Sequence, residues 1–168
     1  MTASGGSSVH ASAVLVGDRA VLIRGPSGSG KSRLAFDLIL AGRAGQIPAA
    51  TLVGDDRIFL QAAQGQLVVR PARELTGLIE IRGLGIRRCD FAEQAVVGLV
   101  VDLSAADAER MPASDALFAS IDGVIIPRIP VQAGFQPLPL VLAALSTRPS
   151  DDCPKGIGNH ISPTIATQ

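Results

Sequence analysis

The 168 residues carry no formal net charge, 47% of them are hydrophobic and 18% are charged. That length and apolar content fit a single domain with a full core and exclude global disorder. Aromatic residues make up 3%, with no Trp and no Tyr, and no basic cluster stands out, which excludes a nucleic-acid surface built on cations and stacking rings.

Along the chain, Ser4 to Ser8 is small and polar and reads as a flexible lead-in, without the charged-then-apolar pattern of a signal peptide. Ala13–Val16 and Ala20–Arg24 read as two strands around a Gly17-Asp18 turn. Next comes Gly25-Pro26-Ser27-Gly28-Ser29-Gly30-Lys31-Ser32, which fits the phosphate-loop pattern G-x-x-x-x-G-K-[ST]. Glycines let backbone N–H groups turn inward around a phosphate, and the following helix adds its positive end. Lys31 would reach the β- and γ-phosphates of ATP, and the Ser32 hydroxyl would ligate Mg2+. Leu34 to Leu40 reads as that helix, with Gly42 as its terminating glycine.

Thr51-Leu52-Val53 predicts a strand running into Gly54-Asp55-Asp56, and Ile58–Leu60 with Leu67–Arg70 a hairpin around Gln64-Gly65. Leu75–Ile81 leads into Arg82-Gly83-Leu84-Gly85-Ile86. Ala95–Leu103 predicts a central strand, Ala105–Met111 a short helix before Pro112, Gly123–Ile126 a strand stopped by Pro127, and Pro137–Leu145 a last helix with proline at its start. The apolar, aliphatic composition suits an α/β domain with a parallel-rich sheet. No apolar run approaches a membrane span, so a cytoplasmic enzyme is expected, with no membrane and no nucleic acid among its partners. Cys89 and Cys153 have neither metal-ligand nor disulfide spacing and read as ordinary thiols.

Two acidic candidates, each at the end of an apolar strand, compete for the role of partner to the phosphate loop. Asp102 ends the longest apolar strand. The pair Asp55-Asp56 ends a shorter one, but adjacent carboxylates repel, so one of them can exchange a proton near neutral pH, as transfer to a hydroxyl requires. Neighbours on a strand point to opposite faces, so the pair converges on one site only if the backbone turns, which Gly54 would allow. On spacing alone, Glu80 and Arg82 lie two apart on a strand and could simply form an ion pair.

Four segments in order resemble the HPr kinase/phosphorylase family: His10, the phosphate loop, Leu52-Val53-Gly54-Asp55-Asp56, and Leu78-Ile79-Glu80-Ile81-Arg82-Gly83-Leu84-Gly85-Ile86. The resemblance covers roughly residues 9 to 145, and the chain looks like the short form that consists of the catalytic domain. It implies a P-loop kinase core related to phosphoenolpyruvate carboxykinase, with a mixed β-sheet and flanking helices. The expected organisation is a flexible segment 1–8, a catalytic domain 9–145 and a polar tail 146–168. The implied activity is Mg-ATP-dependent phosphorylation of a serine on an HPr-type phosphocarrier, in a hexamer whose docking surface is shared between subunits. Carried over by position, Lys31 and Ser32 hold phosphates and Mg2+, Asp55 is the general base, and Asp56 stands beside it. His10 would sit near Asp55, Glu80 would help ligate the metal, and Arg82 would bind phosphate. In bifunctional members a Pro-x-x-x-Gly-Arg-type loop carries a basic residue for the reverse reaction. Here the stretch is Pro130-Val131-Gln132-Ala133-Gly134-Phe135, so the phosphorylase half is in question, with Arg128 the nearest substitute. The rivals are a small-molecule P-loop kinase or NTPase using Asp102, and a nucleotide-binding regulatory module without transfer activity.

Overall fold

A computed structural model describes residues 6–150. Its strands are β1 (Ser7–Val9), β2 (Ser12–Val16), β3 (Arg19–Arg24), β4 (Ala50–Gly54), β5 (Ile58–Ala63), β6 (Gln66–Pro71), β7 (Leu78–Ile81), β8 (Gly85–Arg88), β9 (Ala95–Leu103), β10 (Phe118–Ile121) and β11 (Val124–Val131). Two helices, α1 (Lys31–Arg43) and α2 (Pro137–Ser146), complete it.

The longest apolar run forms the strand on which the sheet is assembled. β9 pairs in parallel with β3 along one edge. On its other edge it meets β6 antiparallel through Ala95 and Val96, then β11 in parallel from Val100 to Leu103. The sheet therefore forks at β9, within the order β1-β5-β6-β9-β3-β2-β4. At Gly98 the register against β3 slips, Ala20 pairing with Val97 and Val21 with Leu99. The slip is a bulge, and it exchanges the faces of the strand. Ala95, Val97 and Val100 thus share one core, while Leu99, Val101 and Leu103 join the other. A Cβ on Gly98 would come within 2.8 Å of the Arg19 side chain, so the bulge needs glycine there.

Both helices pack on one face. Leu34, Ala35 and Leu38 of α1 are fully buried with Val141 of α2 against Val21, Ile23, Val101 and Leu103. Full burial of each leucine contributes about 2 kcal/mol. The opposite core lies between β5/β6 and the strands they curl over, and Gly54 of β4 approaches Pro71 of β6 closely.

α1 starts on Gly30, in the left-handed region at φ 98°, with no side-chain cap. It ends one residue past Arg43 in a Schellman motif: Gly45 at φ 72° donates to the Gly42 carbonyl at 3.1 Å, and Gln46 to Ala41 at 3.0 Å. Gly45, not Gly42, is the terminating glycine. Gly42 stays inside the helix because Ala50 packs against it, leaving only 2.7 Å between a Cβ there and the Ala50 nitrogen.

The hairpins around Gly17-Asp18 and Gln64-Gly65 form as expected. Besides Gly42, three further expectations fail. Ser7 and Ser8, assigned to the flexible lead-in, lie in β1 against β5. Ala105–Met111 is not a helix. It is too short to repay nucleation, and the chain enters it through Ser104 at φ 57°. Pro127 does not stop its strand: pairing with β10 ends at Pro127 and pairing with β9 begins at Arg128, while Pro130 lies beyond the reach of β10. Each proline thus sits where one side of β11 has no partner to receive an N–H. Residues 1–5 of the lead-in and 151–168 of the tail, Cys153 included, lie outside the described residues.

Candidate active site

The phosphate loop joins the end of β3 to the start of α1. Gly25 adopts φ 153°, and a Cβ there would lie 2.6 Å from Ser29 Oγ and 2.9 Å from Leu103 Cβ. Gly28 and Gly30 have φ of 79° and 98°, so conformation rather than crowding requires glycine at both. With no side chain capping α1, its first N–H groups face the loop, where an anion is favoured. Ser29 Oγ is the one buried side-chain oxygen among the described residues without a hydrogen-bond partner. The cradle therefore fits a phosphate group.

Lys31 is 6% exposed, and its Nζ donates to the carbonyls of Gly25 at 2.9 Å and Pro26 at 3.0 Å. Burial pushes its pKa below the ordinary lysine value, against the pull of Asp55 and Asp56. The cation ties the loop to itself.

Asp55 is 2% exposed. Its Oδ1 accepts from Ser12 Oγ at 2.5 Å, Ser32 Oγ lies 2.9 Å from each of its oxygens, and its Oδ2 accepts the Glu80 backbone N–H at 3.1 Å. A bulge on β4 produces this meeting. β2 pairs Val14 with Leu52 but Ala13 with Gly54, so Val53 is the extra residue and the chain after it is displaced by one position. Ser12 then stands across from Asp55. Asp56 takes a left-handed φ of 67° and separates from its neighbour. It lies on the surface, where its Oδ1 is 2.8 Å from His10 Nε2. His10 was expected beside Asp55; it contacts Asp56 instead.

Glu80 is exposed, and its backbone rather than its carboxylate meets the site. Arg82 occupies the turn between β7 and β8, not a strand, so the two side chains do not share a strand face, and no ion pair joins them. Among the described residues no group of three or more His, Cys, Asp or Glu could hold a metal by itself. Mg2+ does not need such a group, since it keeps waters and binds through one or two carboxylates plus substrate phosphates. The hydroxyl and carboxylate of Ser32 and Asp55 are donors of the right kind.

Asp102 sits next to the loop, paired in register with Arg24, but its carboxylate is taken. Arg24 binds it through two contacts of 2.7 Å, and Arg128 Nε donates to it at 2.5 Å. Burial alone would raise the Asp102 pKa, but the Arg24 and Arg128 hydrogen bonds outweigh it and hold the carboxyl below the ordinary range. Arg128 also binds Asp107 through both terminal nitrogens, at 2.8 and 3.0 Å, and donates to the Ala116 carbonyl at 2.8 Å. Those bonds to Asp107, against the cost of burial and with help from Asp102, push its pKa well above the ordinary arginine value. Neither residue is free to act at the loop. Phe135 is 64% exposed in a turn closed by its own N–H on the Gln132 carbonyl at 3.1 Å.

Ser12 is the residue sequence reasoning missed. No motif marks it, and its relation to Asp55 spans 43 positions and depends on the bulge.

A mixed sheet with helices on one face and a phosphate loop between a central strand and α1 defines a P-loop kinase domain. The HPr Serine kinase C-terminal domain model matches residues 2–148, and the chain belongs to that family. An HPr kinase/phosphorylase of Enterococcus faecalis is 38% identical over 141 residues, covering 76% of this chain and 43% of that protein. One from Geobacter sulfurreducens is 31% identical over 128 residues, covering 68% and 38%. The chain thus spans less than half the length of these relatives. A solved structure described as the Hpr(Ser) kinase/phosphatase from Coxiella burnetii superposes with a TM-score of 0.65 at 26% identity, covering 82% of this chain and 92% of that one.

Proposed function

We propose that residues 9–145 form a Mg-ATP-dependent serine kinase domain acting on an HPr-type phosphocarrier protein. The observation that carries this reading is the meeting of Ser32, the last residue of the phosphate loop, with the buried carboxylate of Asp55. The names of the relatives above support the choice of acceptor.

In this reading the backbone from Gly25 to Ser32 cradles the phosphates, and Lys31 turns from the loop carbonyls to the β- and γ-oxygens. The Ser32 hydroxyl and an Asp55 oxygen would hold Mg2+, with Glu80 joining them only once its exposed carboxylate turns in from the surface, and the bound metal would offset charge on the transferring phosphoryl group. Asp55 accepts the proton of the acceptor serine through an oxygen released by Ser32. Asp56 and His10 place a second carboxylate and an imidazole at the rim. Arg82, at the hairpin turn, would contact a phosphate. The domain works in the cytoplasm as a hexamer, with a neighbouring subunit completing the docking surface.

The test is incubation with Mg-ATP and the same organism's HPr-type protein, followed by intact mass measurement. A gain of one phosphoryl group on a serine is expected. ATP turnover with no modified protein would favour a small-molecule kinase, and tight ATP binding without turnover a regulatory module.

A further inference from the structure

We infer that Ser12 is a positioning residue for Asp55, holding its carboxylate in the orientation that phosphoryl transfer requires. The inference rests on the assignment of Asp55 as the proton acceptor.

Only three polar or charged residues are buried among those described: Ser12, Lys31 and Asp55. Two belong to the proposed machinery, and the third donates to Asp55 over 2.5 Å. The arrangement of donors on Asp55 is specific. Ser32 is equidistant from both oxygens, so its single proton is shared and favours neither. Ser12 on Oδ1 and the Glu80 N–H on Oδ2 supply one committed donor to each oxygen. Two donors on opposite oxygens fix the carboxylate plane, and they remain when Ser32 turns to another ligand.

The same stretch of chain braces the neighbouring acid. His10 and Ser12, two residues apart at the entrance to β2, contact Asp56 and Asp55 respectively. The bulge on β4 and the left-handed Asp56 make this double contact possible. Without the bulge, Gly54 would stand opposite Ser12 and the hydroxyl would have no carboxylate to reach. A hydrogen bond from a hydroxyl to a buried carboxylate is among the stronger kinds, so its removal should be visible in the rate.

The experiment compares Ser12→Ala and Ser12→Thr with the unmodified chain, reading kcat and KM for phosphorylation of the acceptor together with thermal melting. Ser12→Ala should lower kcat roughly 10- to 100-fold. KM for ATP and for the acceptor should change by less than about twofold, because substrate binding does not use this hydroxyl. Ser12→Thr retains the hydroxyl and should recover most of the lost kcat. A normal kcat in Ser12→Ala overturns the inference. So does an equal loss of kcat in both variants that tracks their melting temperatures, since that pattern is structural. If the unmodified chain modifies no protein serine, the acceptor assignment fails separately. The same kcat comparison is then made on Mg-ATP hydrolysis, where an unaffected Ser12→Ala rate again overturns the role of Ser12.

Discussion

The Ser32 hydroxyl lies 2.9 Å from both carboxylate oxygens of Asp55, joining the phosphate loop to the end of β4 across 23 positions of sequence. The loop and the acid are thus one assembly before any ligand arrives.

Lys31→Ala should reduce phosphoryl transfer by at least about 100-fold, the scale seen when a fixed charge-stabilising donor is lost. The side chain does not project into open solvent: it is buried and satisfies two loop carbonyls. Its loss should therefore also lower the melting temperature, by roughly 2–4 °C for each kcal/mol removed. Transfer assays and a melting curve on the same sample check both. Near-normal phosphorylation by the folded variant would remove Lys31 from the site.

Asp55→Asn should cost roughly 10²–10⁴-fold in transfer rate, the usual contribution of a positioned base. ATP binding should weaken far less, since the amide keeps the shape. Asp102→Asn should behave oppositely, with a modest rate change and a loss of about 2 kcal/mol in stability from its bonds to Arg24 and Arg128. Side-by-side rates and melting temperatures decide; a crippling Asp102→Asn with a mild Asp55→Asn would return the role of strand-end acid to Asp102.

The Asp102 carboxyl also predicts an acid dependence. Its pKa is depressed in the folded chain, so its contribution to stability is fully present above the unfolded aspartate value of about 3.9 and is lost as pH falls through the lower folded value. The melting-temperature gap between the unmodified chain and Asp102→Asn should hold from about pH 7 to about pH 5 and narrow progressively as pH falls below the unfolded aspartate value of about 3.9. A gap independent of pH would show that packing, not charge, holds this cluster.

Phe135→Arg should raise the rate of phosphorolysis more than that of the kinase reaction. Phosphorolysis brings inorganic phosphate beside phosphoserine and so needs added positive charge, which a phenyl ring lacks. Arg128 does not supply it, because its nitrogens are engaged by Asp102, Asp107 and the Ala116 carbonyl. One charge ~4 Å away at an effective dielectric of about 20 contributes about 4 kcal/mol, and a third of that surviving in solvent is about tenfold in rate. The assay follows pyrophosphate released from phosphorylated acceptor in added phosphate. Brisk pyrophosphate formation by the unmodified chain would show that the reverse reaction does not depend on this position.

What could be read from the chain beforehand was local in cause. The glycines of the phosphate loop, the apolar run of β9 and the Pro137 start of α2 each act through their immediate neighbours. Apart from Ala105–Met111, whose short length and left-handed entry at Ser104 are local, the failures came from contacts made after the chain has folded back on itself. Gly42 looks like a helix terminator until Ala50 is packed on it, and Pro127 looks like a strand end until β11 is seen to exchange partners there. The Asp pair was visible as a pair. Which carboxylate turned inward, and that Ser12 and His10 would divide the two between them, depended on one extra residue in β4.

The parallel pairing of β3 with β9 has a kinetic consequence. Ile23, two residues before the phosphate loop, is paired with Val101, and Arg24 with Asp102. Residues that carry the loop emerge from synthesis long before the strand that steadies them. Such distant pairing is slow to form, because the intervening chain must be closed first. A nascent chain that ends before Ala95 would contain the whole GPSGSGKS run yet lack the neighbouring strand, so the cradle matures late and competence for nucleotide arrives with the second half of the domain.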